Sequence, residues 1–240
     1  MTPTLLEKLL AARRAGNPMA LATLIPAGTQ ALIDGETAQG DLALAAEDLA
    51  KVRSAIADDT SRTIETAIGP VFVEVWNPPL RLILVGAVHI GQKLAPMAAL
   101  AGYAVTVIDP RAAFASAERF PGVEIVADWP DDVLPGLKPD KRTAIVTLTH
   151  DPKIDDPALA AALRSDAFYI GALGSRKTHA KRSDRLAAAG FGASEIARIR
   201  GPVGLAIGAL TPAEIALSIL AEVTAVLHRA GLAVRPGEAA

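Results

Sequence analysis

The sequence contains no cysteine. Disulfides, thiolate metal sites and a cysteine nucleophile are therefore excluded for this chain, and a reducing compartment is compatible with their absence. Aromatic residues make up only 4% of the chain, so the core must rest on Ala, Leu, Val and Ile. Neither sign of charge prevails, since 24 Lys and Arg stand against 26 Asp and Glu for a net charge of −2. That balance argues against a general affinity for nucleic acid. No uncharged apolar stretch reaches the roughly 18 residues that a membrane-spanning helix needs. The first residues, Met1-Thr2-Pro3-Thr4, lead into a helical pattern carrying Glu7, Lys8, Arg13 and Arg14, which is not the form of a secretory signal. With four histidines and no metal-ligand spacing, no bound metal is expected. The expectation is a soluble cytoplasmic protein with no nucleic-acid or membrane partner.

What is present is a globular composition, 51% hydrophobic and 21% charged over 240 residues, enough for one large domain or two small ones. Thr4 and Glu7 have the spacing of a capping box, and Gly16 ends the helix they open. Strands at 20–25, 62–68 and 71–76, a hairpin signal at Asp34-Gly35 and a helix at 42–58 make a small amino-terminal α/β domain over residues 1–76. Asn77-Pro78-Pro79 is the best boundary, because proline forbids helix and central strand.

Beyond it, strands at 81–85, 104–108, 123–127, 143–148 and 167–170 alternate with helices at 90–101, 112–120, 157–163 and 176–189. Further helices are expected at 194–199 and 212–229, the last with Thr211 as cap and Pro212 in the first turn. Such alternation means a Rossmann-like parallel sheet covered on both faces, over residues 80–240. The charge divides with it: residues 1–79 hold 6 basic and 10 acidic side chains, net −4, and residues 80–240 hold 18 and 16, net +2.

Open α/β sheets bind ligands beyond the carboxyl ends of their strands. Four of the five strands end there in Gly, His, Asp, Arg or Ser. Gly86-Ala87-Val88-His89-Ile90-Gly91 is a dinucleotide loop without its middle glycine, and Val88 disfavours a standard NAD pose. Asp109, 23 residues after Gly86, lies near the place of a ribose-binding acid, and Arg111 follows it. Thr149-His150-Asp151-Pro152 reads as an acid/base pair or as an Asp-Pro turn with a helix cap. Gly171-Ala172-Leu173-Gly174-Ser175-Arg176 opens a helix whose free amides, dipole and guanidinium suit a phosphate. Arg182, deeper along that helix, should matter much less. His179 shares a face with Ser175. His228 reads as a cation at a helix end. Ile215, Leu217, Ile219, Leu220, Val223, Val226 and Leu227 cover more than one face of the last helix, which implies burial or a partner.

Residues of about 80–230 resemble the XdhC/CoxI family of xanthine dehydrogenase accessory proteins. The resemblance is carried by Leu84-Val85-Gly86-Ala87, Val105–Arg111, Arg119-Phe120-Pro121, Thr149-His150-Asp151 and Tyr169–His179. Gly201–Leu205 with Ile207-Gly208-Ala209, and Thr211–Ala216, complete it. The resemblance implies a chaperone, not an enzyme, that transiently binds molybdenum cofactor in its molybdopterin or dinucleotide form. It would hand that cofactor to the large subunit of a xanthine or CO dehydrogenase type hydroxylase. A cysteine desulfurase or a related family member is the implied further partner, with a homo- or heterodimer as the assembly. The implied cofactor-binding residues are Gly86, His89, Asp109, Arg111, His150, Asp151, Gly171, Gly174, Ser175, Arg176 and His179. The alternatives are an NAD(P)-dependent oxidoreductase and a ligand-free interaction subunit. The family's Gly-Gly-Cys-Glu segment has no counterpart here, where Gly40-Asp41-Leu42 stands in a shortened amino-terminal part. Val88 replaces a frequent glycine, and Ala206 a frequent acid.

Overall fold

The computed structural model describes residues 2–35 and 37–228. They form two compact units, Met1–Pro78 and Pro79–Ala240.

In the first unit, α1 (Pro3–Ala15) is capped by Thr2, whose hydroxyl accepts from the Leu5 amide at 3.3 Å, and it ends at Gly16. The cap lies two residues before the expected Thr4 because Pro3, which has no N–H to satisfy, takes the first helical position. The strands β1 (Met19–Leu24), β2 (Gln30–Asp34), β3 (Ala38–Gly40), β4 (Arg62–Thr66) and β5 (Gly69–Trp76) pair antiparallel in the order β3-β2-β1-β5-β4. Side chains of β1 alternate between faces. Ala20 and Ala22 belong to one core with Val52 and Ala55 of α2 (Ala46–Ala57), while Met19 and Leu21 join Leu5 and Leu9 of α1. Cover on both faces explains the apolar run Met19-Ala20-Leu21-Ala22 of the central strand. Helix α2 starts four residues later than expected, because Leu42 enters the core from irregular chain and not from a helix.

The second unit runs β6 (Leu80–Val85), α3 (His89–Leu100), β7 (Tyr103–Ile108), β8 (Glu124–Val126), α4 (Pro130–Leu137) and β9 (Thr143–Thr147). It continues with α5 (Pro152–Leu163), β10 (Tyr169–Ala172), α6 (Arg176–Ala188), α7 (Ala193–Ile196), β11 (Ile199–Arg200) and α8 (Pro212–Leu227). All six strands are parallel, in the order β11-β10-β9-β6-β7-β8. One face of the sheet, with Leu82, Leu84, Val105 and Val146, packs on Leu94 of α3 and Ile219 of α8. The other, with Ile83, Val85 and Ile145, packs on Leu134 of α4, Leu159 of α5 and Leu186 of α6. The chain builds outward from β6 to β8 and then returns to β9 and builds the other way. The order therefore reverses between β6 and β9, where ligand crevices form in such sheets.

Several elements depart from the sequence reading. Residues 112–120 are turns and not a helix, held by Phe114 N to Arg111 O at 2.8 Å and by Arg111 and Arg119 stacked on the Phe114 ring at 4.6 and 5.4 Å. Helix α4 forms in a stretch where no element is expected from the sequence, with Pro130 in its first turn. Helix α5 begins at Pro152 and carries Pro157 inside it, instead of starting there. Strand β10 lies two residues later than expected, which places Gly171 inside the sheet, and β11 is a sixth strand. In α8, Ile219 and Val223 are buried and Ile215, Leu220 and Val226 pack against the same core, so most of its broad apolar surface is used within the unit. Leu217 is 53% exposed. His228 ends α8, and the expected Arg229 lies outside the described residues. Among the described residues no helix is long and apolar enough to cross a membrane.

Candidate functional site at the strand ends

The loop after β6 turns on Gly86, which has φ +112 and whose amide donates to Ile108 O at 2.8 Å. A Cβ there would stand 2.6 Å from Thr149 Cγ2, so the loops after β6 and β9 are in contact at the reversal point. The outer glycine of the loop serves helix packing: a Cβ on Gly91 would lie 3.2 Å from Gly86 O. Val88 occupies the position before α3 without a side-chain cap, and His89 is exposed at the first helical position.

Asp109 does not present a free carboxylate to a ribose. It is fully buried and accepts from Ala87 N at 2.8 Å, Arg111 N at 3.0 Å, Arg111 Nε at 2.8 Å and Arg111 Nη2 at 2.7 Å. The carboxylate therefore ties the glycine loop to the turn after β7 and orients Arg111, which also stacks on Phe114. Burial works to raise its pKa, but the Arg111 side chain and the two amides outweigh it and hold the group below the ordinary 3.8. A group depressed in the folded state stabilises the fold above its unfolded pKa and loses that contribution as pH falls through the folded value. Asp109→Asn is thus expected to cost about 2 kcal/mol at pH 7. In urea titrations the gap to the unaltered protein should close once the pH falls well below the ordinary aspartate value. An equal gap at both pH values would mean that the charge is not what stabilises this turn.

After β9, His150 adopts a left-handed backbone, φ 63, and its side chain is exposed. Asp151 caps α5, accepting from Lys153 N at 3.0 Å. Of the two readings of this pair, the structure has the helix cap. The buried carboxylate that serves this loop is Asp155 in the first turn of α5, for which the sequence analysis gives no role. It accepts from Thr149 Oγ1 at 2.7 Å, Thr149 N at 3.3 Å and His150 N at 3.1 Å, and lies 3.6 Å from Arg182 Nη2.

Gly171, inside β10, is needed for close packing: a Cβ would meet Val203 Cγ2 at 2.6 Å and Tyr169 Cε1 at 2.8 Å. Gly174 then leads to Ser175, the cap of α6, which accepts from Thr178 N at 3.1 Å. Arg176 is exposed at the first helical position. His179 packs against Gly201, and its Nδ1 is buried without a hydrogen-bond partner among the described residues. Burial, reinforced by the nearby Arg182 charge, lowers its pKa. The segment from Gly201 is tied down by the buried Glu222, which accepts from Gly204 N at 2.9 Å and Tyr169 Oη at 2.5 Å.

Arg182 is the main correction to the sequence reading. It is not a surface cation of minor weight but a side chain only 2% exposed. Its position four residues before the buried Leu186 was the available signal, since that spacing puts both on one helix face. Asp155 likewise shares a face with Ala158 and Leu159.

The strand ends thus bring Gly86, Asp109 and Arg111 to one side of the reversal point. His150, Asp151 and Asp155 lie at its centre, and Ser175, His179 and Arg182 beyond. Arg111 feels the charges of both Asp151 and Asp155. Among the described residues no group of three or more His, Asp or Glu side chains is placed to hold a metal ion.

These features define a Rossmann-type α/β domain with glycines and polar side chains gathered at the carboxyl rim of its sheet. Residues 82–223 match the XdhC Rossmann domain, and the chain belongs to this family. The chain is similar to the molybdenum cofactor insertion chaperone PaoD of Escherichia coli (strain K12), with 35% identity over 155 residues, 64% of this chain and 42% of the relative. It is also similar to a probable xanthine dehydrogenase subunit from Bacillus subtilis (strain 168), with 34% identity over 173 residues, 69% of this chain and 50% of the relative. It therefore spans at most half the length of these two relatives. A crystal structure of a xanthine dehydrogenase from Bacillus halodurans superposes with a TM-score of 0.73 at 26% identity. That alignment covers 97% of this chain and 66% of the other.

Proposed function

We propose that this chain is a maturation factor for a molybdenum hydroxylase. It binds molybdenum cofactor as cargo at the carboxyl rim of the parallel sheet and passes it to the hydroxylase large subunit. The observation that carries this reading is the membership of the XdhC family together with a rim that gathers cations and the amino-terminal ends of two helices beside the strand-order reversal. The similarity to PaoD supports the choice of cargo. Its form, molybdopterin or dinucleotide, and its transient residence are part of the proposal. So are a cysteine desulfurase or a related family member as second partner, a homo- or heterodimeric assembly and a cytoplasmic location.

The chain has no cysteine, so retention of the cargo must rest on hydrogen bonds, charge and packing rather than on a thiolate. Arg111, His150 and His179 face the pterin in this reading, and Ser175 and the α6 amides lie near its phosphate. The commitment of Asp109 to Ala87 and Arg111 weighs against a nicotinamide dinucleotide in the same place.

The test is isolation of the protein from cells making molybdenum cofactor, followed by oxidation of released pterin and reading of its fluorescence. Pterin in proportion to protein, and capture of a hydroxylase large subunit, are expected, with no quenching of NADH or NADPH fluorescence. Nicotinamide quenching without pterin would overturn the reading.

A further inference from the structure

A cavity of about 230 Å3 opens between the first turns of α5 and α6, room for roughly seven waters. Its lining carries four cationic side chains, Lys177, Lys181, Arg182 and Arg185, against two carboxylates, Asp155 and Asp156. Asp156 is taken up by Arg185, through contacts of 2.5 and 2.9 Å. Asp155 is already engaged by Thr149 and by the His150 amide. Asp155 also faces Arg182 at 3.6 Å, so the excess of two positive charges rests on the two exposed lysines, Lys177 and Lys181, neither of which forms an ion pair among the described residues.

Arg182 is incompletely satisfied. Its Nη2 donates to Leu173 O at 3.0 Å and stands 3.6 Å from Asp155. Its Nε and Nη1 are buried and have no hydrogen-bond partner among the described residues. A guanidinium removed from water with donors unmade is costly, and such groups in folded proteins call for an explanation. Burial lowers its pKa, and the attraction of Asp155 and Asp156 only partly offsets that. The cationic form is thus under-compensated by the protein alone.

We propose that this cavity is an anion site for a phosphate or pyrophosphate group, with Arg182 as its buried anchor and Lys177 and Lys181 at its mouth. The planar fork of arginine matches phosphate oxygens in a bidentate manner, which an ammonium does not. Ser175, also in the lining, offers a hydroxyl, and the 13-residue helix α6 directs its amino-terminal amides to the same side. Arg176, the expected phosphate ligand, is not part of the lining. Naming the bearer of the phosphate as the pterin cargo rests on the proposed function, whereas the anion site itself does not.

The full chain is titrated calorimetrically with inorganic phosphate and with pyrophosphate at fixed ionic strength. Saturable binding at one site is expected. Lys177→Ala/Lys181→Ala, two exposed positions, should keep the melting temperature and weaken binding about tenfold. Arg182→Lys, which keeps the charge and loses the fork, should weaken it at least as much. Lys93→Ala, which removes one positive charge from α3, should leave it unaltered. Absence of saturable binding, or equal weakening by Lys93→Ala, overturns the site. Pterin retention without pyrophosphate binding also overturns it. Pyrophosphate binding by a protein that never carries pterin supports the site and overturns the chaperone reading.

Discussion

Replacing Asp155 by alanine is expected to cost on the order of 3–5 kcal/mol, the penalty for leaving one member of a buried ion pair alone. The carboxylate is 1% exposed and Arg182 is 2% exposed, so water does not make good the loss. The same substitution removes the acceptor for Thr149 Oγ1, Thr149 N and His150 N, freeing the end of β9. For a unit of this size that corresponds to a fall in melting temperature of roughly 6–20 °C. Asp156→Ala breaks the neighbouring pair with Arg185, which is 42% exposed, and should cost under about 1 kcal/mol.

The pair is not itself a large source of stability. Burial raises the Asp155 carboxyl above its ordinary value, and hydrogen bonds from Thr149 with the charge of Arg182 do not fully oppose it. A carboxyl raised in the folded state contributes less as pH rises through its folded pKa, so the ionised form is tolerated more than favoured. Removing both charges, in Asp155→Ala/Arg182→Met, should therefore recover much of the single-variant loss. Urea denaturation of the two single variants and the double variant measures this. A loss below about 1 kcal/mol for Asp155→Ala would show that the pair is solvated and ordinary.

The parallel sheet was legible because a strand buried on both faces must be apolar at successive positions, as in Leu82-Ile83-Leu84-Val85 and Ala144-Ile145-Val146. The strand ends were legible for a related reason: glycines and polar residues directly after such strands break the apolar pattern, although Gly91 and Gly171 prove to serve packing. The failures have physical causes too. Pro130 and Pro152 both sit in the first turn of a helix, where the missing N–H costs nothing, so α4 forms where no helix is expected and α5 starts five residues before the expected Pro157. The periodicity of residues 112–120 is answered by stacking of Arg111 and Arg119 on Phe114, a contact that no helical template contains. Asp155 and Arg182 were missed because a charged residue is assumed to face water. Only the pairing of two helices, α5 with α6, shows that each has its partner inside. Asp109 was read as a ligand-binding acid from its spacing after Gly86. Its position is as expected, but its oxygens serve Ala87 and Arg111.

Gly86→Ala is expected to destabilise the second unit by about 2–5 kcal/mol, because two effects add. The backbone at φ +112 is strained for any residue with a Cβ, at roughly 1–2 kcal/mol. The added methyl would also lie 2.6 Å from Thr149 Cγ2 and 3.3 Å from Thr149 N, and overpacking of this kind costs roughly 1–3 kcal/mol. Thr149 cannot swing its methyl aside freely, because its hydroxyl is held by Asp155 at 2.7 Å. The loops after β6 and β9 must part instead, at the place where the strand order reverses. Gly102→Ala provides the comparison, since Gly102 has φ +90 but open space around its missing Cβ. It should show the backbone part alone. Thr149→Ser removes the obstructing methyl and keeps the hydroxyl, so Gly86→Ala/Thr149→Ser should regain the packing part and fall to the level of Gly102→Ala. Thermal and urea unfolding of these variants decide the matter. A Gly86→Ala protein no less stable than Gly102→Ala, or one that Thr149→Ser leaves unimproved, would show that the two loops are not locked together as the geometry requires.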